Sequence, residues 1–141
     1  MKNLKAIIFD LDGTLIHSAP DMHAAVNVTL NTLGRDALDL STIISFIGNG
    51  FEKLVEQSLD ATGRYDNSIR QTALHLYLKS YNQNITTLTR PYTGVVSALR
   101  EFQRAGIPMG ICTNKLTKPA KEICARLDLM QFFKVIAGAE L

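Results

Sequence analysis

The chain has 141 residues, 46% of them hydrophobic and 20% charged, and a formal net charge of +2. That length suits one ordinary domain, or a small core carrying an insertion, and the composition excludes a disordered chain. The lysines and arginines are scattered, which disfavours a nucleic-acid surface, and no apolar run approaches membrane-spanning length. The expected partner is therefore a small molecule, with no nucleic acid and no membrane; oligomeric state is left open.

Two cysteines, Cys112 inside an apolar run and Cys124 on a helical face, lack metal-ligand spacing. They are expected as reduced core thiols of a cytoplasmic protein. Residues Met1 to Lys5 lead straight toward the first strand, leaving no length there for a signal peptide.

Ile7-Ile8-Phe9 reads as a buried strand that stops abruptly at Asp10-Leu11-Asp12-Gly13-Thr14. Ser18-Ala19-Pro20-Asp21 predicts a helix start, with Ser18 as N-cap, Pro20 in the first turn and Asp21 closing a capping box. Met22, Ala25, Val26, Thr29, Leu30 and Leu33 recur at helical spacing until Gly34. Ser41 is expected to cap a short helix through Phe46, which Gly48-Asn49-Gly50 breaks. Helical patterning resumes from Phe51 to Leu59, and again from Ser68 to Tyr81 with Ala73, Leu74, Tyr77, Leu78 and Tyr81 as its stripe. No strand is expected between Ile16 and Thr89. That helical block is a candidate lid, and it divides the chain into core residues 1–16, a helical insertion 17–89 and further core 90–141.

Arg90-Pro91-Tyr92-Thr93-Gly94 reads as a hinge back into the core. A helix marked by Val95, Val96, Leu99 and Phe102 follows, then a second strand over residues 107–113, a helix opened by Thr117-Lys118-Pro119, and a third strand over 133–137. This order predicts an α/β fold on a parallel sheet with right-handed crossovers.

Residues two apart on an extended backbone point the same way, so Asp10 and Asp12 should meet at the strand's C-terminal end, where open α/β sheets bind ligands. Two adjacent carboxylates need a cation between them, or one must keep a proton. Mg²⁺ would suit such hard oxygen ligands, and a carboxylate beside a protonated one is a nucleophile with a general acid/base. Thr113 and Asn114, ending the second strand alongside, could offer donors to a phosphate. Asp-x-Asp also occurs as an ordinary turn, and Thr-Asn as a helix cap. An EF-hand loop is excluded because its glycine position, counted from Asp10, is Leu15.

Asp10-Leu11-Asp12-Gly13-Thr14, with Thr113-Asn114 after a second strand, resembles the first two signature motifs of the haloacid dehalogenase-like hydrolases. Ser18-Ala19-Pro20-Asp21, Ile47-Gly48-Asn49-Gly50, Pro91-Tyr92-Thr93-Gly94-Val95 and Thr113-Asn114-Lys115 further resemble phosphoglycolate phosphatases along the whole chain. The resemblance implies a Rossmann-like core, incomplete at its C-terminal end, with an inserted α-helical cap. It implies a Mg²⁺-dependent phosphatase of a small phosphate monoester, most readily 2-phosphoglycolate. Asp10 matches the nucleophile and metal ligand. Asp12 matches the acid/base, with its backbone carbonyl on the metal. Thr113 and Asn114 match the phosphate-binding motif, and Gly48, Asn49 and Gly50 fall in the cap segment that faces substrate. Dehalogenases and phosphonate hydrolases lack an acid where Asp12 stands, and sugar-phosphate mutases tend to carry valine in place of Thr14.

Two departures stand out. His17 occupies a place where the family often has aspartate. The family's third-motif lysine and fourth-motif acidic pair should follow the third strand, whereas Lys115 and Lys118 precede it and Glu140 sits too early. The resemblance therefore implies an N-terminal portion of such an enzyme, one that binds Mg²⁺ and phosphate weakly and turns over poorly by itself.

Overall fold

The computed structural model describes residues 3–141; Met1 and Lys2, part of the lead into the first strand, lie outside the described residues. The chain forms two compact units. One holds the residues through His17 together with Arg90–Leu141, and the other is Ser18–Thr89.

The first unit is built on a three-stranded parallel sheet of β1 (Ile7–Phe9), β4 (Met109–Leu116) and β5 (Val135–Ala139), in the order β1-β4-β5. Two further short strands, β2 (Ile16–His17) and β3 (Arg90–Pro91), pair antiparallel where the chain leaves this unit and returns to it. Sequence patterning gives no strand at Ile16, because a two-residue strand is too short to show alternation. Helix α5 (Val95–Arg104) buries Leu99, and α6 (Thr117–Arg126) buries Ala120, Ile123 and Cys124. A 3-10 turn over Met130–Phe132 leads into β5.

Three expectations are corrected in this unit. The first strand is not buried: Ile8 is 62% exposed, since β1 has only β4 beside it and forms the sheet's edge. The second strand runs to Leu116 rather than stopping at Thr113, so Thr113, Asn114 and Lys115 belong to it. Cys112 is exposed, unlike Cys124, because strand alternation turns it away from buried Ile111 and Thr113.

The second unit packs four helices: α1 (Ala19–Thr32), α2 (Leu40–Phe46), α3 (Phe51–Thr62) and α4 (Asn67–Gln83). Their buried stripes are the periodic ones. Met22, Ala25, Val26 and Leu30 of α1 meet Ala73, Tyr77 and Tyr81 of α4 in one core, and Leu54, Val55 and Leu59 of α3 join it. Tyr77 and Tyr81 stack at 5.6 Å, and Phe51 stacks on Tyr77 at 6.3 Å. Each such buried aliphatic or aromatic side chain contributes about 1.5–3 kcal/mol through the area it removes from water.

Capping differs from the sequence expectation at two helices. Asp39, not Ser41, caps α2, accepting the Thr42 N–H at 2.9 Å while the Ser41 hydroxyl donates to the same carboxylate. Ser18 stands at the N-cap of α1 without bonding a backbone N–H; its hydroxyl points to the Met22 sulfur. Asp21 closes no capping box. Its carboxylate accepts from Leu88 N–H at 2.9 Å, Thr89 N–H at 2.8 Å and the Thr89 hydroxyl at 2.6 Å, so it pins the end of the unit to its beginning. That choice gives the two buried Thr89 donors an acceptor.

Candidate active site

Pairing of β1 ends at Phe9, and the carboxylate of the next, exposed residue bonds the local backbone: Asp10 Oδ1 accepts the Leu11 N–H at 2.8 Å. Leu11 is 0% exposed, and its carbonyl accepts from the N–H groups of Thr14, Leu15 and Ile16. This anchored turn holds Asp10 and Asp12 on either side of Leu11. Gly13, at φ +79°, closes it by donating to the Ile16 carbonyl at 3.0 Å. A Cβ there would meet nothing within 4 Å, so the backbone conformation, not crowding, calls for glycine.

Phe9 pairs with Ile111, and continuing that register sets Asp10 level with Cys112, one residue before Thr113. Along the end of β4, Thr113 and Lys115 share the buried face with Ile111, while Cys112 and Asn114 face the other way and are exposed. The Thr113 hydroxyl oxygen accepts the Lys115 N–H at 3.1 Å, and its own proton can be donated.

The Lys115 ammonium lies 3.2 Å from Asp12 Oδ2, with the two side chains only 6% and 11% exposed. Sequence reasoning missed this pair. Ending the second strand at Thr113 hid the alternation that puts Lys115 on the same face. The bulge between Cys112 and Leu116 could not be read either. A buried pair of this kind adds little net stability, because desolvation offsets attraction, but removing one partner strands the other. The Asp12 charge is also felt at Cys124, whose thiol is pushed up to about 11, first by burial and then by that carboxylate.

Among the described residues no three His, Cys, Asp or Glu side chains gather into a metal cluster. Mg²⁺ does not require one, since it is commonly held by one or two carboxylates with the rest of its shell filled by water and substrate oxygens. The hard oxygens of Asp10 and the Asp12 backbone fit it.

The other sequence candidates belong to other elements. Gly48 and Asn49 are exposed between α2 and α3 of the helical unit, and Gly50, at φ +87°, is the N-cap of α3. His17 is in the β2–β3 ribbon, its Nδ1 3.3 Å from the Tyr92 hydroxyl, with the two rings 5.5 Å apart. No helix is long and apolar enough to cross a membrane among the described residues.

A phosphoglycolate phosphatase of Cereibacter sphaeroides is 38% identical over 138 residues, covering 97% of this chain and 63% of its own length. One of Nitrosospira multiformis is 36% identical over 139 residues, covering 97% of this chain and 61% of its own. The chain thus spans less than two thirds of these relatives. The crystal structure of a predicted phosphoglycolate phosphatase from Haemophilus somnus superposes with a TM-score of 0.92 at 25% identity, over 96% of this chain and 62% of that one. Residues 7–141 match the family described as haloacid dehalogenase-like hydrolase. The chain belongs to the haloacid dehalogenase-like hydrolases.

Proposed function

We propose that the chain carries the phosphoryl-transfer half of a Mg²⁺-dependent phosphatase acting on a small phosphate monoester, 2-phosphoglycolate being the favoured substrate. The observation that carries this reading is the pair Asp10 and Asp12 just past the C-terminal end of β1, with Thr113 on the neighbouring strand β4, in a chain 38% identical to a phosphoglycolate phosphatase.

In this reading an Asp10 carboxylate oxygen attacks phosphorus, and the ester P–O bond breaks with its electron pair leaving on the alcohol oxygen. Asp12 gives that oxygen a proton. Asp12 then takes a proton from water, whose oxygen attacks the aspartyl phosphate and releases inorganic phosphate and the Asp10 carboxylate. Thr113 donates its hydroxyl proton to a phosphate oxygen, with Asn114 next to it completing the binding segment. Asp10 and the Asp12 carbonyl would hold Mg²⁺, which would neutralise charge on the phosphate. Catalysis of this kind is mainly positioning and electrostatics.

The test is phosphate release from 2-phosphoglycolate with Mg²⁺. Asp12→Ala should slow it by about 10²- to 10⁴-fold, the usual range for a lost acid/base; turnover near that of the unsubstituted chain would end the assignment. Gly48, Asn49 and Gly50 are assigned to substrate choice, which Asn49→Ala would reveal as a changed ratio of kcat/KM between 2-phosphoglycolate and a bulkier ester. A second reading, favoured by the Lys115 ammonium 3.2 Å from Asp12 Oδ2, which occupies the carboxylate assigned to proton transfer, is that these residues bind Mg²⁺ and phosphate without turnover. Binding by calorimetry with no phosphate release would select it.

A further inference from the structure

We propose that Lys115 is the built-in counter-cation of the Asp10 and Asp12 site, a positioning residue that holds the Asp12 carboxylate and sets the balance between cation and phosphate binding. This rests on reading Asp10 and Asp12 as the pair that handles metal and phosphate.

The charge count is direct. Two carboxylates alone carry two negative charges; with the Lys115 ammonium 3.2 Å from Asp12 Oδ2, the set carries one. A divalent cation then leaves the site net positive, which suits a phosphate dianion. Without the ammonium the cation would bind more strongly and the phosphate less. The lysine is well placed for this. Its side chain is only 6% exposed, and it shares a strand face with Thr113. A backbone bond from Lys115 N–H to the Thr113 hydroxyl also ties it to the phosphate-binding segment. A charge so buried is held by geometry rather than screened away.

The experiment is calorimetry on the full chain with two probes, Mg²⁺ alone and then inorganic phosphate in saturating Mg²⁺. Lys115→Met should tighten Mg²⁺ binding by about tenfold and weaken phosphate binding by a similar factor, the size expected for removing one unit charge close to an ion. Lys115→Arg should restore both. Opposite movement of the two ligands separates this role from mere structural support, whose loss would weaken both. Weaker or unchanged Mg²⁺ binding in a folded Lys115→Met chain, or an arginine variant that behaves like methionine, overturns the proposal. So does an unsubstituted chain that takes up no Mg²⁺. If Lys115→Met does not fold, Lys115→Gln carries the same expectation. If neither folds, the unsubstituted chain decides: the Lys115 ammonium nitrogen resonance should move when Mg²⁺ is added, and an unmoved resonance overturns the idea. Asp10→Asn distinguishes the two failures. If the site reading itself is wrong, Asp10→Asn leaves Mg²⁺ binding unchanged; if only the lysine's role is wrong, Asp10→Asn abolishes binding while Lys115→Met fails to split the two ligands.

Discussion

Removing the Asp21 carboxylate should cost the helical unit several kilocalories, although Asp21 touches no proposed substrate. Asp21 is 2% exposed and Thr89 is 0% exposed. In Asp21→Ala, the Thr89 N–H and hydroxyl lose an acceptor at 2.8 and 2.6 Å, and the Leu88 N–H loses one at 2.9 Å. Leu88 is 55% exposed, so water can replace its bond. The two Thr89 donors are buried, and at about 1–3 kcal/mol for each unsatisfied group the loss comes to about 2–6 kcal/mol. That is a large share of the roughly 5–15 kcal/mol typical of a folded domain. Asp21→Asn keeps one carbonyl oxygen and should lose about half as much. The assay is urea unfolding followed by tyrosine signals, since Tyr65, Tyr77 and Tyr81 all lie in the Ser18–Thr89 unit. Amide exchange at Thr89 should accelerate with the same substitution. A loss below about 0.5 kcal/mol, the level of an ordinary surface change, would refute the reasoning.

Three other outcomes are expected. A Cβ at Gly138 would stand 2.5 Å from the Lys115 carbonyl oxygen and 2.8 Å from the Thr117 backbone, so Gly138→Ala should lower stability by about 1–3 kcal/mol through overpacking; an unchanged melting temperature would contradict this close approach of β5 to β4. For the cysteines, iodoacetamide at pH 8 should modify exposed Cys112 and spare Cys124, as peptide mass mapping would report. Because the folded Cys124 thiol ionises near 11 against an ordinary 9.0, the unfolded chain sheds that proton first. Its contribution therefore lowers stability as pH rises from about 9 toward 11 and is absent below that window; a urea midpoint that falls equally steeply in Cys124→Ala would contradict the assignment.

Periodicity was enough to place α1, α3 and α4 of the second unit, because Met22, Val26, Leu54, Leu59, Tyr77 and Tyr81 mark their buried stripes; α2 was placed by the glycine break that follows it. It was enough for α5 and α6 as well. What stayed hidden depended on contacts distant in sequence. Asp21 looks like the acidic member of a capping box, yet its partners lie 67 and 68 positions away. Ile8 looks like a core residue, but burial of a strand depends on how many neighbours the sheet supplies. At the candidate site, Asp10 and Asp12 were read from residue types expected just past the first strand, and β1 does end at Phe9; Thr113 was read as a strand end, whereas β4 continues through it to Leu116. Lys115 was not legible, since ending the strand at Thr113 removes the alternation that sets Lys115 on its buried face.

The most direct measurement is mass spectrometry of the acid-quenched chain after mixing with 2-phosphoglycolate and Mg²⁺, in the unsubstituted form and in Asp10→Asn. A phosphoryl group on Asp10, lost together with phosphate release in Asp10→Asn, is the predicted result. Phosphate release that persists in Asp10→Asn, or a phosphoryl group on any other residue, would contradict it.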